Sequence, residues 1–243
     1  ETKRDVERFF DVDPARVHVI HNGIDLNQYR KVDSTAALKR YGIDPNRPYV
    51  LFVGRITRQK GFQHLIRAIP FMEPDFQIVL CAAAPDTPGM AEEMKTAVER
   101  AKAQRPGIAW INEMVDQKTA CELYSHAAVF VCPSIYEPFG IINLEAMACE
   151  TAVVASAVGG IKEVVVDGET GFLVPLEQMK ESPFEATNPE KFARDLGARI
   201  NQLMKDRQLC ERFGKAGRKR AEEKFSWTAI AAKTKALYES LNG

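Results

Sequence analysis

The chain has 243 residues and a formal net charge of zero, with 33 basic and 33 acidic side chains. Hydrophobic residues make up 45% and charged residues 27%, the balance of a soluble globular protein with enough chain to bury a full core. Nothing in that balance points to a nucleic-acid or membrane partner, and no apolar run is long enough to span a bilayer.

The five cysteines are odd in number and irregularly spaced, and are read as reduced thiols of a cytoplasmic protein. No signal-peptide pattern is seen, and the chain starts Glu1-Thr2-Lys3-Arg4 without Met, so a piece of a longer polypeptide is expected.

Residues 1–10 read as the end of a helix, with Val6, Phe9 and Phe10 on one face. Asp11-Val12-Asp13-Pro14 reads as a turn rather than a metal site, because Asp before Pro needs no ion to explain it. Val17 to Ile20 alternates as a first strand and ends at the Asn22-Gly23 turn. A short helix over 33–41, with Ser34 as its N-cap, leads to the apolar strand Tyr49 to Val53. Gly54-Arg55-Ile56-Thr57-Arg58-Gln59-Lys60-Gly61 then opens a helix over 62–69. Three cations ahead of a helix N-terminus oppose the helix dipole, and a bound anion would reverse that cost. A solvated basic loop is the alternative.

Strands follow at 76–81, 108–111, 129–132 and 151–155, each separated by a helical stretch. The strand Val129 to Cys132 is closed by Pro133, and the loop to Gly140 opens a helix from Ile141 to about Cys149. Such a loop presents free N–H groups at the carboxyl edge of a sheet, where anions bind. Glu137 lies in this loop and Glu145 in its helix; alone, they would read as a turn cap and a solvated helix residue. Gly159-Gly160 opens another helix over 161–166. Asp167 to Gly171 makes a hairpin-like turn into a short strand, 172–175. Helices over 189–205, 206–224 and 227–241 end the chain, the last capped by Ser226.

Strands alternating with helices predict an α/β fold: a Rossmann-like, doubly wound parallel sheet of about six strands with helices on both faces. The chain is taken as one domain, 1–243. The loops after strands at 49–53, 129–132 and 151–155 should converge on one sheet edge, which makes that edge the candidate site.

These residues carry a family resemblance. Gly54-Arg55 with Lys60, Glu137-Pro138-Phe139-Gly140 with Glu145, and Gly159-Gly160 resemble the donor-site motifs of retaining GT-B glycosyltransferases. The nearest likeness is to bacterial glycogen synthases and related α-glucosyltransferases that use ADP-glucose. It runs from His18 to Trp227 and corresponds to the C-terminal, nucleotide-binding half of such enzymes. Lys162 and Glu150 depart from the family, which often has Pro and usually Gly at these places.

The resemblance implies that Arg55 and Lys60 neutralise the donor diphosphate, aided by the N–H groups of Ile141 and Ile142. Glu145 is similar to the residue that accepts from the ribose hydroxyls. Glu137 resembles the one that holds a donor-sugar hydroxyl, with the backbone of Phe139 and Gly140 and with Gly54 beside it. The loop 112–115, including Met114, is expected to border the base. Transfer with retention, no resident cofactor and no metal are implied. The acceptor, a glucan or another sugar, would lie with an absent N-terminal half, toward which the helix 226–241 would pack. Glu137 and Glu145 are not read as a glycosidase pair, because nothing makes their carboxyl groups face each other. A dehydrogenase is disfavoured by the lack of G-x-G-x-x-G after any strand. A UDP- or GDP-sugar donor, or a nucleotide-binding module without activity, remain as alternatives.

Overall fold

Apolar runs separated by helical stretches become the strands of one parallel sheet. The computed structural model describes residues 2–242. The first half contains α1 (Thr2–Phe9), α2 (Ala36–Arg40), β1 (Tyr49–Arg55), α3 (Phe62–Ala68), β2 (Gln77–Ala83), α4 (Pro88–Gln104), β3 (Ile108–Ile111), α5 (Gln117–His126) and β4 (Val129–Cys132). The second contains α6 (Ile141–Ala148), β5 (Ala152–Ser156), α7 (Ile161–Val164), β6 (Gly171–Val174), α8 (Pro189–Met204), α9 (Arg207–Arg220) and α10 (Trp227–Asn242). A π-helical turn, Ala221–Phe225, joins α9 to α10.

The sheet order is β3-β2-β1-β4-β5-β6, and every neighbouring pair is parallel. Strands β2, β4 and β5 are buried on both faces, so successive side chains feed two cores. Val50 and Phe52 of β1 pack with Leu65, Leu80 and Leu196 on one face. Tyr49 and Leu51 pack with Leu123, Phe130 and Leu144 on the other. Each fully buried side chain of this size contributes about 2 kcal/mol of transfer free energy. The five cysteines are unbridged and buried.

Two expectations from the sequence change. Residues 17–20 do not form a strand: after a 3-10 turn at Pro14–Arg16 the chain runs outside the sheet, with Val19 exposed. An alternating pattern makes a strand only where a neighbouring strand receives its N–H groups, and here only Ile24 finds one, in a bridge to Ser226. The short strand expected after the Asp167–Gly171 turn forms as β6, paired parallel to β5 from Val153–Gly171 to Ser156–Val174. The Asp13 side chain accepts from Ala15 N at 2.9 Å, the turn role read for it. Ser34 is displaced from the cap of the shortened α2, whose N-cap is Thr35, and its hydroxyl donates to Glu122 at 2.9 Å instead. No helix of the described residues is long and apolar enough to cross a membrane.

Candidate functional site

β1 leads outward to β2 and β3, whereas β4 leads outward to β5 and β6. Helix α3 after β1 packs into one core and α6 after β4 into the other. The connections diverge there, and the carboxyl ends of β1 and β4 flank a crevice, the usual ligand position in open α/β sheets.

Three loops interlock at that crevice. Gln59 carbonyl accepts from Ile135 N at 2.9 Å, tying the loop after β1 to the loop after β4. Gly61 adopts φ +63°, and a Cβ on it would lie 1.9 Å from the Pro133 carbonyl oxygen. Gly160 N donates to the Glu137 carbonyl at 2.9 Å. A Cβ on Gly159, at φ +48°, would lie 2.1 Å from that same oxygen. Only glycine permits either approach.

Within this frame Lys60 Nζ stands 2.6 Å from Glu137 Oε2, the Glu137 side chain being 9% exposed and that of Lys60 22%. Ser134 Oγ donates to the same carboxylate oxygen at 3.4 Å. Gly54, near the end of β1, has Lys60 Cγ 3.9 Å from where its Cβ would be. Arg55 is half in solvent, with Nη1 3.6 Å from Asp86 Oδ1 of the loop after β2. An exposed pair of this kind is worth less than about 1 kcal/mol, so Arg55 is readily redirected. Gly140 is the N-cap of α6 and no side chain caps that helix. The first N–H groups of α6, on Ile141 and Ile142, belong to the end that has no intrahelical partners. Phe139 stacks on His21, centroids 5.6 Å apart, and His21 Nε2 lies 2.5 Å from Glu163 Oε2.

Glu145 sits one turn deeper in α6. Tyr124 donates to its Oε2 at 3.0 Å, and Tyr29 is a second hydroxyl partner. Burial holds the Glu145 carboxyl above its ordinary range, and the two tyrosines pull it partly back. Glu145 is therefore a half-buried, hydrogen-bonded carboxylate rather than a solvated helix residue. Met114 differs from the rest: it is 71% exposed, in the loop after β3 at the outer edge of the sheet.

Sequence reasoning missed Ser134, Asp86, Tyr29 and Tyr124. Each enters through tertiary contact with a residue already singled out, and none carries a local signature.

The family model for Glycosyl transferases group 1 matches residues 33–183, a span that contains all three loops. The chain belongs to this family. It is 47% identical over 234 residues to an α-maltose-1-phosphate synthase of Mycolicibacterium smegmatis, covering 95% of this chain and 58% of that protein. It is 31% identical over 251 residues to a D-inositol 3-phosphate glycosyltransferase of Streptomyces bingchenggensis, covering 100% of this chain and 52% of that one. Among solved structures it superposes on a sucrose-phosphate synthase from Thermosynechococcus elongatus with TM-score 0.78 at 29% identity, covering 99% of this chain and 57% of the other. The chain thus spans little more than half the length of these relatives. The fold matches that of GT-B glycosyltransferase structures.

Proposed function

We propose that this chain is the donor-binding half of a retaining glucosyltransferase that uses a nucleoside diphosphate glucose, ADP-glucose first among them. The observation that carries the reading is the Lys60–Glu137 pair, set in the switch-point crevice beside the uncapped start of α6. A buried carboxylate, an ammonium group and open helix N–H groups suit a ligand with a sugar hydroxyl at one end and a diphosphate at the other.

In this mechanism Arg55, Lys60 and the N–H groups of Ile141 and Ile142 receive the negative charge that grows on the departing diphosphate. Glu137 accepts from a donor-sugar hydroxyl and supports positive charge at the anomeric carbon. The backbone of Phe139 and Gly140 holds the same sugar, and Glu145 accepts from the ribose. Met114 and its loop border the base. The anomeric carbon–oxygen bond to the diphosphate breaks, a bond to the acceptor hydroxyl forms on the same face, and the hydroxyl proton passes to the leaving phosphate oxygen.

The likeness to α-maltose-1-phosphate synthase favours glucose 1-phosphate as acceptor over an α-glucan. Adding one glucosyl unit to glucose 1-phosphate yields maltose 1-phosphate and a nucleoside diphosphate, with every atom accounted for. The acceptor would be held mainly by a second domain, against which α10 packs: its Trp227, Tyr238 and Leu241 are 56%, 62% and 68% exposed. Unbridged, buried cysteines suit a cytoplasmic setting. The test is product analysis with the complete enzyme, ADP-glucose and either glucose 1-phosphate or glycogen. A disaccharide phosphate of α configuration, lost on Glu137→Ala, is expected; elongation of glycogen alone would return the glucan acceptor, and an inverted product would overturn the retaining mechanism.

A further inference from the structure

Between β6 and α8 the chain folds back on itself at the same edge of the sheet. Gln178 bridges Ala186 antiparallel, Met179 N donates to the Glu185 carbonyl at 2.9 Å, and Thr187 N donates to the Glu177 carbonyl at 2.9 Å. This hairpin leans on the loop after β4. Gln178 Nε2 donates both to the Ile135 carbonyl, at 2.6 Å, and to the Phe184 carbonyl, at 2.7 Å. The Phe184 and Tyr136 rings then stack, centroids 6.2 Å apart and planes 18° apart. Both stand in solvent, Tyr136 49% and Phe184 38% exposed. Phe184 also holds φ +58°, a left-handed conformation that a bulky side chain adopts only at a cost. Burial does not account for that cost, because the ring is not buried. Phe184 in its left-handed conformation and Tyr136, the neighbour of buried Glu137, thus bring two exposed aromatic rings together beside the loop after β4.

We propose that Tyr136 and Phe184 form a stacking ledge for a glucosyl ring of the acceptor; this rests on the reading of Glu137 as the donor-sugar residue. The axial C–H bonds of a pyranose make an apolar face with a slight positive charge, and the face of an aromatic ring carries the opposite sign. The stacked pair leaves outer ring surface open to a sugar, each ring holding the other in place. Tyr136 precedes Glu137, and Gln178 ties the hairpin of Phe184 to the same loop, so the pair stands on the loop that carries the buried carboxylate. The two aromatic rings suit the sugar of the acceptor rather than its phosphate.

The test is saturation-transfer NMR on this chain with methyl α-maltoside, which reports millimolar binding, run beside an ADP titration. Saturation should reach the maltoside ring protons in the unaltered chain. Tyr136→Leu and Phe184→Leu keep apolar volume but remove the aromatic plane, and each should weaken maltoside binding about tenfold or more while ADP binding is unchanged. Tyr136→Phe should bind as the parent does. No saturation transfer in the parent chain, or equal transfer in the two leucine variants, overturns the ledge. Equal loss of ADP and maltoside binding in the leucine variants would overturn it as well, by showing that the rings only support the loop. Failure of ADP to bind the parent chain, with maltoside still bound through the rings, would count against the donor reading alone.

Discussion

Lys60 and Glu137 are far apart in the chain yet share one ion pair that is largely out of solvent. Removing one partner of such a pair costs more than the pair contributes, because the remaining charge stays behind without its counter-charge. Lys60→Ala is expected to lower unfolding free energy by about 3 kcal/mol in urea titration, and Lys60→Ala with Glu137→Ala together should recover part of that loss. Glu145 gives a pH signature. Its folded carboxyl binds protons more tightly than an unfolded one, whose pKa is 4.5, so the folded state holds more protons just above that pH. Stability contributed through this group is present below pH 4.5 and is lost as pH rises through the folded value. Glu145→Gln should remove that decline, seen as a smaller drop in urea midpoint between pH 4.5 and pH 7 than in the parent chain. His64 works in the opposite direction: burial holds its imidazole below 6.5, so its contribution grows as pH rises, and comparison of variant with parent cancels it. At this scale Glu137, Lys60 and Glu145 were legible because they sit in loops and helix starts with marked chemistry. Ser134 and the two tyrosines around Glu145 were not, because a hydroxyl in a strand end or helix says nothing about which carboxylate it will meet.

At the scale of elements, close backbone approaches hold the crevice in shape. A methyl group on Gly159 would overlap the Glu137 carbonyl oxygen, and its φ is unfavourable for any other residue. Gly159→Ala should destabilise the chain by about 2 kcal/mol or more and weaken nucleotide binding, although Gly159 itself is assigned no ligand contact. Glu150 shows the reverse case. It follows α6 at φ +60°, where glycine ends a helix without strain, and its carboxylate makes a 3.5 Å contact with exposed Lys31. Glu150→Gly should raise stability by up to about 1 kcal/mol, read as a shift in urea midpoint. The departure of Glu150 from its family was visible in the sequence; its backbone conformation was not. Most strands and helices were legible too, since apolar runs bounded by Gly and Pro recur along the chain. The exception follows from pairing: Val17 to Ile20 has the alternation of a strand but joins no edge of the sheet.

Across the whole molecule, the fold gathers three loops at one edge of the sheet and leaves Trp227, Tyr238 and Leu241 of α10 exposed. A donor site that is complete within 243 residues and an acceptor site that is not would separate binding from transfer. The most direct measurement is calorimetric titration of this chain with ADP, UDP and GDP in the presence of a chelator, repeated with Arg55→Ala and Lys60→Ala. Binding of a nucleoside diphosphate, ADP most tightly, with about tenfold or greater loss in either variant, is the expected result. Absence of binding by all three at millimolar concentration, or binding indifferent to both variants, would contradict the placement of the diphosphate between β1 and β4.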